Sequence, residues 1–96
     1  MSGCSSYDPE QAKAWQRDYC TKLGSWQKAR NATDPSVEAA GYAAIAVAKV
    51  LDREHLDHDG SHVLDDTARA VTAGDGEAEG RAVAYCGSSG FETLVR

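Results

Sequence analysis

The positions of two cysteines, Cys20 and Cys86, constrain the fold of this chain more than any other feature of its sequence. A disulfide between them would close a loop of about 66 residues and would stabilise the folded state by roughly 4 kcal/mol on the chain-entropy model. That is a large share of the stability of a domain of 96 residues, whose hydrophobic core is necessarily small. The sequence contains no Cys-x-x-Cys motif, which disfavours a redox-active dithiol and a zinc knuckle. We therefore expect a structural disulfide, and the alternative is a pair of buried free thiols.

Start and stop signals divide the chain into short helices. Asp8-Pro9-Glu10 combines an N-cap acceptor, a proline at the first helical position and an acid in the first turn, and Asp34-Pro35-Ser36 repeats this signal. Gly74-Asp75-Gly76 interrupts the later part of the chain, and Gly87 suits the position just after a last helix. The predicted helices span about residues 8–30, 35–54, 62–73 and 77–86. Since no stretch shows the alternation of a strand, we expect an all-α bundle of three to four helices closed by one disulfide, in a single domain over residues 8–96.

The apolar positions predict which helix faces are buried. The first helix carries an apolar stripe at steps of three or four residues, formed by Ala12, Trp15, Tyr19, Leu23 and Trp26. The simpler interpretation is that both tryptophans lie in the core with Tyr19 and Leu23. The alternative is that one tryptophan is exposed as an anchor for a partner, and Trp26 would then be the exposed one, because it lies near the end of the helix among polar and basic neighbours, whereas Trp15 should be the core residue. The second helix is apolar on most faces, which predicts a central and largely enclosed position.

The third cysteine, Cys4, lies in the segment Ser2-Gly3-Cys4-Ser5-Ser6. Two small residues, a cysteine and a short polar stretch look like the end of a bacterial lipobox. In that interpretation Cys4 is the lipidated first residue of a mature protein, residues 1–7 are a lipobox remnant and tether, and the natural signal segment precedes Ser2. The alternative is that Met1 is the true start and that Ser-Gly-Cys is accidental.

The cysteine pattern as a whole resembles a known class of protein. Ser-Gly-Cys-Ser-Ser is followed by Tyr19-Cys20 on an aromatic first helix, by Ala-rich helices and by Tyr85-Cys86-Gly87 near the end. This resembles the small, Ala-rich actinobacterial lipoproteins, in which two cysteines flank a short helical bundle. The resemblance implies lipidation at Cys4, a bridge between Cys20 and Cys86, and an extracytoplasmic location, either membrane-anchored or secreted. It implies no catalytic residues.

The densest group of potential metal ligands lies between the second and third predicted helices. Calcium would use an EF-hand-like loop in which Gly60 is the sixth residue and Asp66 the twelfth. Zinc or a similar ion would use the three histidines, which would share one face if a helix continued through the segment. The candidate ligands are His55, Asp57, His58, Asp59, His62 and Asp66. The simpler interpretation is a solvated connection between two helices, and we expect no cofactor.

Composition excludes some classes of function. A net charge of -5 with no concentration of Lys and Arg disfavours nucleic-acid binding. The sequence has no Gly-x-Ser-x-Gly motif and no Gly-rich phosphate loop, so we expect no enzyme. The expected function is that of an extracytoplasmic interaction module that binds a protein or an envelope component and contacts the membrane through its lipid anchor. The alternatives are a metal-binding or metal-sensing protein that uses residues 52–66, and a cytosolic or phage-type adaptor with free thiols.

Overall fold

A computed structural model describes residues 9–56, 62–88 and 90 of the chain. Within these ranges the chain forms four α-helices and no strand: α1 (Pro9–Asn31), α2 (Val37–Arg53), α3 (Val63–Ala73) and α4 (Gly76–Ser88). The all-α fold and the disulfide predicted from the sequence are both confirmed. Residues 1–8, which include Cys4 and the predicted tether, lie outside the described residues. No helix in the described ranges has the length and the apolar character needed to cross a bilayer.

The helix ends follow local hydrogen bonding. Before α2, the Asp34 carboxylate accepts hydrogen bonds of 2.8 Å from both the backbone N–H and the hydroxyl of Ser36, which forms a turn and delays the helix to Val37. The predicted start at Pro35 was therefore two residues too early. Before α4, the Asp75 carboxylate accepts from the backbone N–H groups of Glu77 and Ala78 at 3.0 and 3.2 Å, an N-cap arrangement that the sequence analysis did not identify.

Two glycines mark the ends of α3 and α4. Gly74 follows α3 with a φ of 68°, a left-handed conformation that favours glycine and ends the helix as predicted. Gly87 had been predicted to follow the last helix, and this prediction is wrong, because α4 continues to Ser88. The left-handed residue is instead Gly90, with a φ of 89°, whose N–H donates to the carbonyl oxygen of Gly87 at 3.1 Å.

Each helix packs against the next along the chain, and α4 also returns to α1. The disulfide between Cys20 and Cys86 joins the middle of α1 to the end of α4, with the two Cα atoms 5.9 Å apart. Around it lies a core of aromatic, aliphatic and small side chains that includes Tyr19, Leu23, Ala48, Leu51, Val63, Ala70, Ala82 and Tyr85. The core depends on close approach of the helices, as the high alanine content of the sequence requires.

At Gly41 the backbone of α2 lies directly against side chains of α1 and α3. A β-carbon at this position would lie 2.6 Å from Cγ1 of Val71 on α3 and 3.1 Å from Cδ1 of Trp26 on α1. Both distances are too short for unstrained packing, so the arrangement of three helices at this level requires a residue without a side chain. The absence of a side chain at Gly41 thereby leaves room for the side chains of Trp26 and Val71.

Candidate interaction site

A surface cleft opens where α1, α2 and α3 meet. Its volume is about 250 Å³, and it is lined by Trp26 from α1, by Val37, Glu38 and Tyr42 from α2, and by Val71 and Thr72 from α3. The indole of Trp26 and the side chains of Val37 and Val71 supply its apolar surface, but the exposed lining of the cleft as a whole is somewhat more polar than apolar. The polar groups that line it are one carboxylate and two hydroxyls.

Trp26 is the deepest of these residues. It is only 4% exposed, whereas Trp15 is half-buried and packs at the edge of the core. The predicted burial of Trp26 with the rest of the apolar stripe is therefore confirmed, and the alternative, in which Trp26 is the exposed tryptophan, is wrong. The physical reason is that one of the basic neighbours of Trp26 packs on the indole and does not only extend into solvent. The Arg30 guanidinium carbon lies 4.5 Å from the centroid of the indole and covers the ring.

Arg30 is held in this position by Glu79 of α4. Its Nη1 and Nη2 atoms donate to Oε1 and Oε2 of Glu79 at 2.6 and 2.9 Å, a bidentate pair. The buried Gln27 side chain donates to the same carboxylate at 2.8 Å. The hydrogen bonds from Arg30 lower the pKa of Glu79, and the same contact raises the pKa of Arg30. Glu79 of α4 thus fixes the guanidinium group that covers one face of Trp26.

On the other side of the cleft, Glu38 and Tyr42 lie one helical turn apart on α2 and therefore share a face. Both are exposed, and the Tyr42 ring, at 60% exposure, is the most exposed large apolar side chain in the described ranges. Neither side chain makes a hydrogen bond or an ion pair within those ranges. By contrast, the hydroxyl of Thr72 donates to the carbonyl oxygen of Ala68 at 2.6 Å.

The exposure of Tyr42 corrects the prediction of a largely enclosed second helix. The helix is central, since it packs against both α1 and α3, but one face remains in solvent. The sequence did contain a signal for this face, because Glu38, Tyr42 and Lys49 recur at helical spacing on the same helix. It was outweighed by the number of alanine and valine residues between them.

The predicted metal ligands are not brought together in the described part of the molecule. Asp57, His58 and Asp59 lie outside the described residues. His55 is exposed and has a φ of 57° just after α2, so the helix does not continue through the histidines as the zinc interpretation required. Asp66 lies buried on α3, where its carboxylate accepts a hydrogen bond of 3.0 Å from Nε of Arg81.

His62 is exposed immediately before α3. Among the residues that the structure describes, no three His, Cys, Asp or Glu side chains are placed to hold one metal ion. The ion pair between Asp66 and Arg81 gives the buried carboxylate a structural partner, which opposes its proposed use as the twelfth residue of a calcium loop.

Comparison with protein-family models, with curated proteins and with solved structures finds no match for this chain. The function therefore has to be argued from the chemistry of the side chains themselves. The cleft beside Tyr42 is the site on which that argument rests.

Proposed function

We propose that this protein is a non-enzymatic, extracytoplasmic interaction module, tethered through Cys4, that binds a partner protein at the cleft beside Tyr42. The observation that carries the proposal is the exposure of the Tyr42 ring next to a cleft of mixed polar and apolar lining, at the base of which lies Trp26. Tyrosine and tryptophan dominate the energetics of protein interfaces because they bury a large apolar area with few rotatable bonds. An exposed tyrosine beside a preformed recess has the character of such an anchor.

The dimensions of the cleft favour a protein partner over a small substrate. Small-molecule sites usually have volumes of about 300–1,000 Å³ and enclose most of their ligand. The cleft has a volume of about 250 Å³, which suits one or two side chains of a partner. Its lining also lacks the pairing of a nucleophile with a general base, since Thr72 donates its hydroxyl proton to a backbone carbonyl.

The disulfide supports a location outside the cytoplasm. Structural disulfides form and persist in oxidising compartments and are rare in reducing ones. In the proposed topology Cys4 carries the lipid, which leaves Cys20 and Cys86 to form the bridge. Every cysteine of the sequence then has an assigned role.

The binding function can be tested by selection from a displayed peptide library on the oxidised protein. Peptides enriched on the wild type should bind at least about tenfold more weakly to Tyr42→Ala, a loss of roughly 1.4 kcal/mol that fits an interface tyrosine. Lys49→Ala is the matched control, because Lys49 is exposed on the same helix and does not line the cleft. Enriched peptides that bind Tyr42→Ala as well as they bind the wild type would refute the proposal.

The location can be tested by mass spectrometry of the protein from its own cells. The amino-terminal peptide should begin at Cys4 and carry a thioether-linked diacylglycerol, and Cys4→Ser should abolish the modification and release the protein from membranes. An unmodified peptide that still begins at Met1, with Cys20 and Cys86 as free thiols, would instead support the cytosolic adaptor.

A further inference from the structure

The geometry points to an arginine side chain of the partner protein as the occupant of this cleft, with its guanidinium group between the ring of Tyr42 and the carboxylate of Glu38. The inference rests on the proposed function and specifies the chemistry that this function would recognise. Three observations carry it: an arginine already bound in the same way within the molecule, the carboxylate and the aromatic ring at the rim of the cleft, and the two valine side chains that line it.

The bundle contains one complete arginine site of this kind. Arg30 lies over the indole of Trp26 with its guanidinium carbon 4.5 Å from the ring centroid, and its two terminal nitrogens hold both oxygens of Glu79. A guanidinium group combines stacking on an aromatic face with bidentate binding of a carboxylate, which an ammonium group does not. Trp26 and Glu79 therefore show which pair of groups an arginine requires.

Glu38 and Tyr42 provide the same pair without an arginine. They lie four residues apart on α2, a spacing that places their β-carbons about 5–6 Å apart on one helix face. The carboxylate has no ion-pair partner in the described ranges, and the aromatic ring is 60% exposed. A guanidinium group can therefore contact both, with a cation–π contact on the ring and hydrogen bonds to the carboxylate.

The rest of the cleft suits the aliphatic part of the same side chain. Val37 and Val71 give apolar walls along which the three methylene groups of an arginine can lie. Arg30, which lies over the indole of Trp26, is neutralised by its bidentate pair with Glu79, so it opposes a second guanidinium group only weakly. Residues 34–96 carry 12 acidic and 5 basic side chains, a balance of -7 that also favours a cationic partner.

The test compares two small probes that differ only in charge. N-acetyl-arginine methylamide and N-acetyl-citrulline methylamide have nearly the same shape, but the citrulline side chain is neutral. Both are titrated into the ¹⁵N-labelled, oxidised protein, and the reporters are the amide signals of Glu38 and Tyr42 and the indole N–H signal of Trp26. We expect the arginine probe to bind about threefold to fivefold more tightly than the citrulline probe, as one partly exposed ion pair would produce.

Variants test whether the preference for the arginine probe depends on the carboxylate of Glu38 and whether its affinity depends on the ring of Tyr42. Glu38→Gln should remove the preference for arginine over citrulline, and Tyr42→Leu should reduce the affinity for the arginine probe while keeping an apolar side chain in place. Glu77→Gln is the matched control, because Glu77 is an exposed acid in the first turn of α4 that does not line the cleft. It should leave the preference unchanged.

The outcomes separate the two proposals. Equal binding of the two probes, a preference that survives Glu38→Gln, or signal changes spread equally over the acidic surface would overturn the arginine inference. If the library selection nevertheless yields peptides that depend on Tyr42, the interaction module stands with a different ligand. If the selected peptides do not depend on Tyr42, the proposed function itself fails.

Discussion

The rings of Tyr19 and Tyr85 meet edge to face, with their centroids 6.0 Å apart and their planes inclined by 73°. Each tyrosine directly precedes one of the bridged cysteines, so the two Tyr-Cys dipeptides pack together as one unit. The Tyr85 hydroxyl donates to the carbonyl oxygen of Leu56 at 3.0 Å, and the Tyr19 hydroxyl lies 2.5 Å from that of Thr67. The disulfide thus lies where α1, α3, α4 and the segment just after α2 are already connected by these contacts.

Reduction of the disulfide should lower the melting temperature by well over 10 °C. The physical reason is the loss of roughly 4 kcal/mol of loop-closure stabilisation, in a domain where 1 kcal/mol corresponds to about 4–8 °C. Before reduction, thiol labelling followed by mass spectrometry should leave Cys20 and Cys86 unmodified, and it should modify Cys4 only in protein that does not carry the lipid. Labelling of Cys20 and Cys86 in protein purified from an oxidising compartment would contradict the structure.

The two tryptophans should differ in their contribution to stability. Trp26→Ala removes a side chain that is 4% exposed and should reduce the free energy of unfolding by about 3–5 kcal/mol. Trp15→Ala, at a half-buried position, should cost about 1–2 kcal/mol. In the single-tryptophan variant Trp15→Phe, the remaining fluorescence should be blue-shifted and poorly quenched by iodide. Denaturant unfolding in which the two alanine variants are equally destabilised would argue against this arrangement.

Two glycine-to-alanine substitutions should have effects of opposite sign. Gly41→Ala places a methyl group 2.6 Å from Val71 and should destabilise the protein by about 1–3 kcal/mol, despite the better helix propensity of alanine. Gly80→Ala, in α4, meets nothing within 4 Å and should stabilise it by about 0.5–1 kcal/mol. Thermal unfolding of both variants checks the pair, and a neutral Gly41→Ala would mean that the three helices are not packed as closely as described.

The ion pair between Arg30 and Glu79 should make the free energy of unfolding depend on pH at acidic pH values. Because the pKa of Glu79 is held below its ordinary value of 4.5, the unfolded chain binds this proton more readily than the folded protein does. The stabilisation is therefore fully present above pH 4.5 and is lost as the pH falls through the lower pKa of the folded state. Glu79→Gln should cost about 1–2 kcal/mol at pH 7.

Urea unfolding between pH 7 and pH 3 checks this prediction. The difference in stability between the wild type and Glu79→Gln should shrink as the pH falls. Glu77→Gln, at an exposed position on the same helix, should show a much smaller effect. A difference between the wild type and Glu79→Gln that stays constant over this pH range would show that the carboxylate is not the group concerned.

Divalent metal ions should bind weakly. We expect Zn²⁺, Ni²⁺ and Ca²⁺ to bind no tighter than roughly tens of micromolar and, at modest excess, to raise the free energy of unfolding by less than about 1 kcal/mol. Isothermal titration calorimetry measures the affinity directly. Binding below about one micromolar that is lost in a His55→Ala, His58→Ala double variant would favour the metal-sensing alternative.

The sequence predicted most of the fold because its helix signals are local. A proline that opens the first helix, a left-handed glycine after the third and an apolar stripe along the first each depend on a few neighbouring residues. The signal Asp34-Pro35-Ser36 correctly predicted that a helix follows, but the predicted first residue of that helix was wrong. Ser36 donates to the side chain of Asp34 in a turn and does not begin the helix. Helix propensity does not determine whether these residues form such a turn or the first turn of the helix.

The site could not be predicted in the same way because it depends on contacts between helices. Gln27 and Arg30 have the composition of a solvated helix end, which is why an exposed Trp26 was a possible interpretation of the sequence. Both instead bind Glu79, which is about 50 residues away along the chain, and Arg30 covers the indole. Hydrophobic periodicity cannot tell a polar side chain that faces water from one that pairs with a distant partner.

The position of the disulfide has a consequence for proteolysis. Any single peptide bond cut between Cys20 and Cys86 would leave two fragments joined covalently through sulfur. A nicked molecule would migrate as one species in a non-reducing gel and separate into two pieces only after reduction. The bridge thus holds the two fragments together after a cut that would otherwise release part of the bundle, and release of a fragment would require a second cut or a reductant.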